Sequence, residues 1–111
     1  MKKSAAVESN ELNEIRIQLA PTLRKLGVGK AILFGSTSRG AGSRRSDIDL
    51  LLIVDTEERF FDRYRHFEDI HANLKGRSVD MLIYTPLELQ RIAHRPFIRK
   101  ILSEGKTIYE H

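Results

Sequence analysis

Three observations predict an α/β unit. Short apolar runs of strand length, about Lys30–Phe34, Ile48–Val54 and Ser78–Tyr84, alternate with longer stretches whose apolar residues recur at helical spacing. The middle run is Ile, Leu and Val apart from Asp49, the pattern of a central strand covered on both faces. The chain has no cysteine, so disulfide staples and thiolate metal sites are excluded and packing alone must hold the fold.

Residues 1–9 are polar and aperiodic and read as a flexible N-terminal tail; residues 10–111 read as a single domain. From Asn10, a suitable N-cap, Leu12, Ile15, Leu19, Leu23 and Leu26 form one helical stripe. Pro21 lies within it and is expected to bend or restart the helix. Gly27 then ends it as a C-terminal cap, and Val28-Gly29 leads into the first strand. After the second strand, Thr56–Leu74 reads as one amphipathic helix, with Phe60, Tyr64, Phe67 and Leu74 on one side and Phe61 and Ile70 beside them. Lys75-Gly76-Arg77 is a turn into the third strand. Thr85-Pro86-Leu87-Glu88 combines a Thr cap, a Pro at the first helical position and a Glu three residues after the cap, which starts a helix. His94-Arg95-Pro96 breaks it, Phe97–Ser103 forms a short helix, and Gly105 turns into a last strand at Thr107–Tyr109.

At 111 residues, 41% hydrophobic and 31% charged, the composition is that of a folded globular chain. No apolar run nears the ~20 residues of a membrane span, and the N-terminus lacks a signal peptide's apolar segment, so a cytoplasmic protein is expected. The net charge of +4 and a pI near 9.6 favour an anionic partner such as a nucleotide, a nucleic acid or an acidic protein surface.

The chemistry concentrates between Ile32 and Val54. Asp47 and Asp49 are two apart on a strand, so they point to the same side, roughly 7 Å apart at the Cα level. Carboxylates so placed can share a hard divalent cation, and magnesium takes one or two of them together with substrate phosphate oxygens. Asp80 is a lone acid in the apolar run Val-Asp-Met-Leu-Ile-Tyr, pointing away from the face of Val79, Met81 and Ile83; a neighbouring metal would account for it. Gly35-Ser36 follows the first strand directly, where the missing β-carbon lets backbone approach a bulky ligand. If Thr37–Ala41 opens a helix, its free N–H groups and the Ser36 hydroxyl suit an anion, with Arg39, and Arg44 and Arg45 less directly, as phosphate ligands. The Walker and dinucleotide patterns are both absent: Gly40 is followed by Ala41-Gly42, and Gly35 by Ser36-Thr37.

Leu33-Phe34-Gly35-Ser36, Arg39-Gly40 and Ser46-Asp47-Ile48-Asp49-Leu50 together resemble the signature of the minimal nucleotidyltransferase family, a compact branch of the polymerase beta superfamily. The resemblance covers nearly the whole chain. It implies the nucleotidyltransferase fold, an α/β (α+β) arrangement with a small mixed sheet flanked by helices. It implies that Gly35 and Ser36 contact a triphosphate, that Asp47 and Asp49 bind two magnesium ions, and that Asp80 completes the metal and catalytic set. The implied reaction moves a nucleoside monophosphate from a triphosphate such as ATP to an acceptor hydroxyl, Asp80 serving as general base. Members of this kind are often encoded beside a small HEPN ribonuclease, which they nucleotidylate and silence. The expectation is therefore an antitoxin that places AMP on a tyrosine of a HEPN-type toxin, working as a hetero-oligomer without membrane or direct nucleic-acid binding. Two rivals are a module that binds nucleotide and partner without chemistry, and a subunit of a small-molecule or RNA nucleotidyltransferase.

Plainer readings stand beside these. Asp80 could pair with Lys30 or Arg77. The four histidines lack metal-ligand spacing and read as surface or packing residues. The Phe60–Phe67 aromatic stripe reads as core or interface, and Arg91, Arg95, Arg99 and Lys100 as a solvated basic face that could also dock an acidic partner.

Overall fold

The computed structural model describes residues 2–35, 47–74 and 77–111, with backbone alone for residues 2–10. The elements are α1 (Lys2–Lys25), β1 (Val28–Phe34), β2 (Ile48–Val54), α2 (Phe60–His66), α3 (Glu68–Asn73), β3 (Val79–Tyr84), α4 (Pro86–Ile92), α5 (Pro96–Glu104) and β4 (Lys106–Glu110). The strands form one sheet in the order β3-β2-β1-β4. β1 pairs antiparallel with β2 and β4, while β2 and β3 are parallel. The sheet is therefore mixed, and the parallel pair is joined by the crossover that α2 and α3 supply.

Helices cover both faces. On one, Ile15, Leu19 and Leu23 of α1 and Phe67, Ile70 and Leu74 pack against Leu33, Leu50, Leu52 and Ile83. On the other, Ile98 and Ile101 of α5 pack on Ile32 and Leu51. Burial alternates along β1 and β2 between these layers, so β2 is apolar apart from Asp49 because helices cover most of both its faces. Burying each such side chain contributes about 1.5–3 kcal/mol.

Several expectations are corrected. Helical backbone reaches back from Asn10 to Lys2, and α1 runs through Pro21 without a break. Pro21 is exposed, while Leu19 and Leu23 on either side are buried, so packing holds the helix across the missing N–H. Gly27 ends it at φ 75°, as expected. Thr56–Leu74 is not one helix. Thr56 Oγ1 accepts from the Glu58 N–H at 3.1 Å and holds a turn, and the helix breaks at Phe67 (φ −104°, ψ 12°). The break lets α2 lie along β3 while Phe67 and Ile70 reach the core. Phe61, expected in the apolar stripe, is 84% exposed.

α2 also closes an edge of the sheet. β3 is terminal, and its outward carbonyls would otherwise invite another strand. Tyr64 Oη donates to Met81 O at 2.9 Å and Arg63 Nη1 to Ile83 O at 3.0 Å. Arg63 is buried, and its guanidinium meets the Glu88 carboxylate through two bonds, 2.6 and 2.9 Å. Glu88 in turn completes the expected capping box: its carboxylate accepts from Thr85 N–H at 2.9 Å, and Thr85 Oγ1 accepts from Glu88 N–H at 3.1 Å. The Arg63–Glu88 pair thus joins α2, β3 and α4. Among the described residues, no helix is long and apolar enough to cross a membrane.

Candidate active site

Asp49 and Asp80 stand side by side where β1, β2 and β3 line up. Asp49 is the register partner of Phe34 on β1 and of Asp80 on β3. Asp47 precedes β2 by one residue, two before Asp49, and is exposed. The three carboxyls interact electrostatically: partial burial, then Asp80, then Asp47 push the Asp49 carboxyl above its ordinary range. Among the described residues Asp80 takes no ion pair; Arg77, one expected partner, instead approaches Glu11 at 4.0 Å.

Gly35 stands where β1 ends, at φ 80°, a conformation that disfavours any L side chain. A β-carbon there would also overlap Asp49 Oδ2. The glycine therefore sets backbone directly against the central carboxylate. Ser36 and Arg39, with Thr37–Ala41, Arg44 and Arg45, lie outside the described residues, as do Lys75 and Gly76.

The fit to a divalent cation rests on the crowding of the acids. Partial burial and the neighbouring Asp80 and Asp47 raise the cost of ionising Asp49, and a bound cation would relieve it. Among the described residues no group of three or more His, Asp or Glu side chains is placed to hold a metal ion, so Asp47, Asp49 and Asp80 do not by themselves form the expected three-acid set.

Beside Asp49 a cavity of about 340 Å³ opens between Phe34 and Gly35 on the sheet and Phe97, Lys100 and Glu104 on α5. Phe34 and Phe97 meet edge to face at 6.0 Å between ring centres. Lys100, expected on a solvated basic face, stands in this wall. A signal was present, since positions 97, 100 and 104 share one side of a helix. What covers that side is a matter of tertiary packing. A second cavity, about 330 Å³, lies at the other end of β2 between Gly27, Asp55, Glu58 and His66, and Asp49 does not line it.

Residues 15–109 match the nucleotidyltransferase domain family. The candidate protein adenylyltransferase MJ0435 of Methanocaldococcus jannaschii is 34% identical over 76 residues, 68% of this chain and 81% of that protein. Among solved structures, a toxin–antitoxin complex with AMP-PNP superposes with a TM-score of 0.65 at 21% identity, over 86% of this chain and 73% of that one. The toxin–antitoxin complex MntA-HepT superposes with a TM-score of 0.58 at 17% identity, over 87% and 71%. At these identities the structures speak for the fold, and the mixed sheet flanked by helices is theirs. The matched span takes in β1, β2 and β3, all but the last residue of β4 and all three acids, so the chain belongs to the nucleotidyltransferase domain family.

Proposed function

We propose that this chain is a magnesium-dependent nucleotidyltransferase that moves AMP from ATP to a hydroxyl, a tyrosine of a HEPN-type toxin, and acts as that toxin's antitoxin. The observation that carries the chemistry is the in-register pair Asp49 and Asp80 beside Gly35, with Asp47 close enough to raise the Asp49 carboxyl. The names of the relatives, a candidate protein adenylyltransferase and a toxin–antitoxin complex holding AMP-PNP, support a protein acceptor and an adenine nucleotide.

Asp47 and Asp49 would hold magnesium, joined by Asp80 on the acceptor side. Bound there, the ions supply charge neutralisation at the phosphates and at the attacking oxygen. The chain's own residues do the rest. Gly35 keeps the end of β1 low enough for a phosphate to lie against the backbone, and Ser36 and Arg39 hold the phosphate tail. Asp80, exposed at the start of β3, is open to an incoming hydroxyl and takes its proton as general base. The new bond joins the acceptor oxygen to the α-phosphorus, the bond to the β-phosphate's bridging oxygen breaks, and pyrophosphate leaves.

The test is to incubate the chain with its co-expressed partner, magnesium and ATP labelled at the α-phosphate. Label on a partner tyrosine, abolished by Asp47→Asn, is the expected result. A tight complex that never acquires label would replace this reading with neutralisation by binding alone.

A further inference from the structure

We infer that the cavity beneath α5 is the nucleoside seat, with Phe97 as the face on which the base lies and Glu104 as the acceptor for the nucleoside's amino or hydroxyl hydrogens. The inference rests on the nucleotidyltransfer reading above and extends it to residues outside the acid and Gly-Ser motifs.

Position comes first. In the strand order β3-β2-β1-β4, Asp49 lies on β2, with Asp80 on one side and Gly35 on the other. The cavity is lined by Asp49 and Gly35 and reaches α5, while Asp80 does not line it. The acceptor's proposed base and the cavity therefore flank the central carboxylate from opposite sides. An occupant of the cavity adjoins the phosphate cradle, not the incoming hydroxyl.

Chemistry narrows the occupant. Besides Asp49 at its mouth, the walls supply two aromatic rings, the Ile101 side chain and a second carboxylate, Glu104; Lys100 is the cation lining them. A polyphosphate gains nothing from aromatic walls and is repelled by Glu104. A flat, uncharged group bearing donors suits both, because every base has a π-face and a carboxylate only accepts hydrogen bonds. Neither the Lys100 nor the Glu104 side chain has a hydrogen-bond or ion-pair partner among the described residues. Phe97 is 59% exposed, so it has apolar surface to give to a ligand. About 340 Å³ falls at the lower end of small-molecule sites, about 300–1,000 Å³.

The test measures magnesium-dependent binding of the non-hydrolysable ATP analogue AMP-PNP and of inorganic tripolyphosphate to the wild-type chain, Phe97→Ala and Glu104→Gln by calorimetry, with melting curves confirming the fold. Phe97→Ala should weaken the analogue about 10- to 100-fold and leave tripolyphosphate unchanged. Glu104→Gln should cut the wild-type preference for one donor-bearing ligand about tenfold: ATP over ITP if Glu104 meets the base amine, ATP over 2′-deoxyATP if it meets the sugar. If both variants hold the analogue as tightly as wild type, or if Phe97→Ala instead raises the KM for the acceptor, the nucleoside lies elsewhere and the inference is overturned while the nucleotidyltransfer reading stands. A wild-type chain that binds neither tripolyphosphate nor the analogue overturns both.

Discussion

Replacing Gly35 with alanine should destabilise the chain in two separable ways. At φ 80° an L residue costs about 1–2 kcal/mol, and that cost stays whatever its neighbours are. The new methyl also overlaps Asp49 Oδ2, so the carboxylate must leave its rotamer, for about 0.5–1.5 kcal/mol more. For a domain of this size the sum lowers the melting temperature on the order of 10 °C. The second contribution needs the carboxylate. With Asp49→Ala, the atom nearest the new methyl is the residue's own Cβ, at 3.7 Å, an ordinary contact. A double-mutant cycle by urea unfolding with circular dichroism should therefore show Gly35→Ala costing about 0.5–1.5 kcal/mol less in the Asp49→Ala background than in the wild type. Strict additivity of the two changes would mean that Gly35 does not lie against Asp49, and the cradle described above would go with it.

Asp80→Asn should abolish nucleotidyl transfer yet raise stability at pH 7 by about 0.5 kcal/mol, because it removes a like charge directly across from Asp49; a loss of stability in urea would show that Asp80 serves the fold. The Arg63 guanidinium and the Thr85 N–H hold the Glu88 carboxyl down to about 2, so its contribution is complete above the ordinary value of 4.5 and is lost as pH falls through about 2. With 39% of that side chain exposed, solvent screening leaves about 1–2 kcal/mol, and the stability gap between wild type and Glu88→Gln should close between pH 5 and pH 2; a pH-independent gap would refute the linkage. Thr85→Ala removes the other half of the capping box and should cost about 1 kcal/mol of unfolding free energy in urea titrations, whereas Phe61→Ser, on a ring 84% exposed, should change that free energy by less than about 0.5 kcal/mol.

Some of this was legible along the chain because it depends on residues close in sequence. The Ile48–Val54 run, the stripe at Ile15, Leu19 and Leu23, the Gly27 cap and the Thr85–Glu88 box are local patterns, and each has the structure the pattern implies. Gly35 likewise places itself at the end of β1, whereas Asp47 precedes β2, so the two-residue strand period does not set its side. Tertiary structure alone decided that Asp80 stands in register with Asp49, because parallel pairing is set by how the α2–α3 crossover packs. It decided the break at Phe67, where the demands of the β3 edge and of the core outweigh helical periodicity. It also buried Arg63, whose partners Ile83 and Glu88 are 20 and 25 residues away, and brought Phe97 and Glu104 beside Asp49. Local propensity and spacing determine which groups the chain can offer; which of them meet depends on burial shared between distant segments, and no window of sequence contains both sides of that contact.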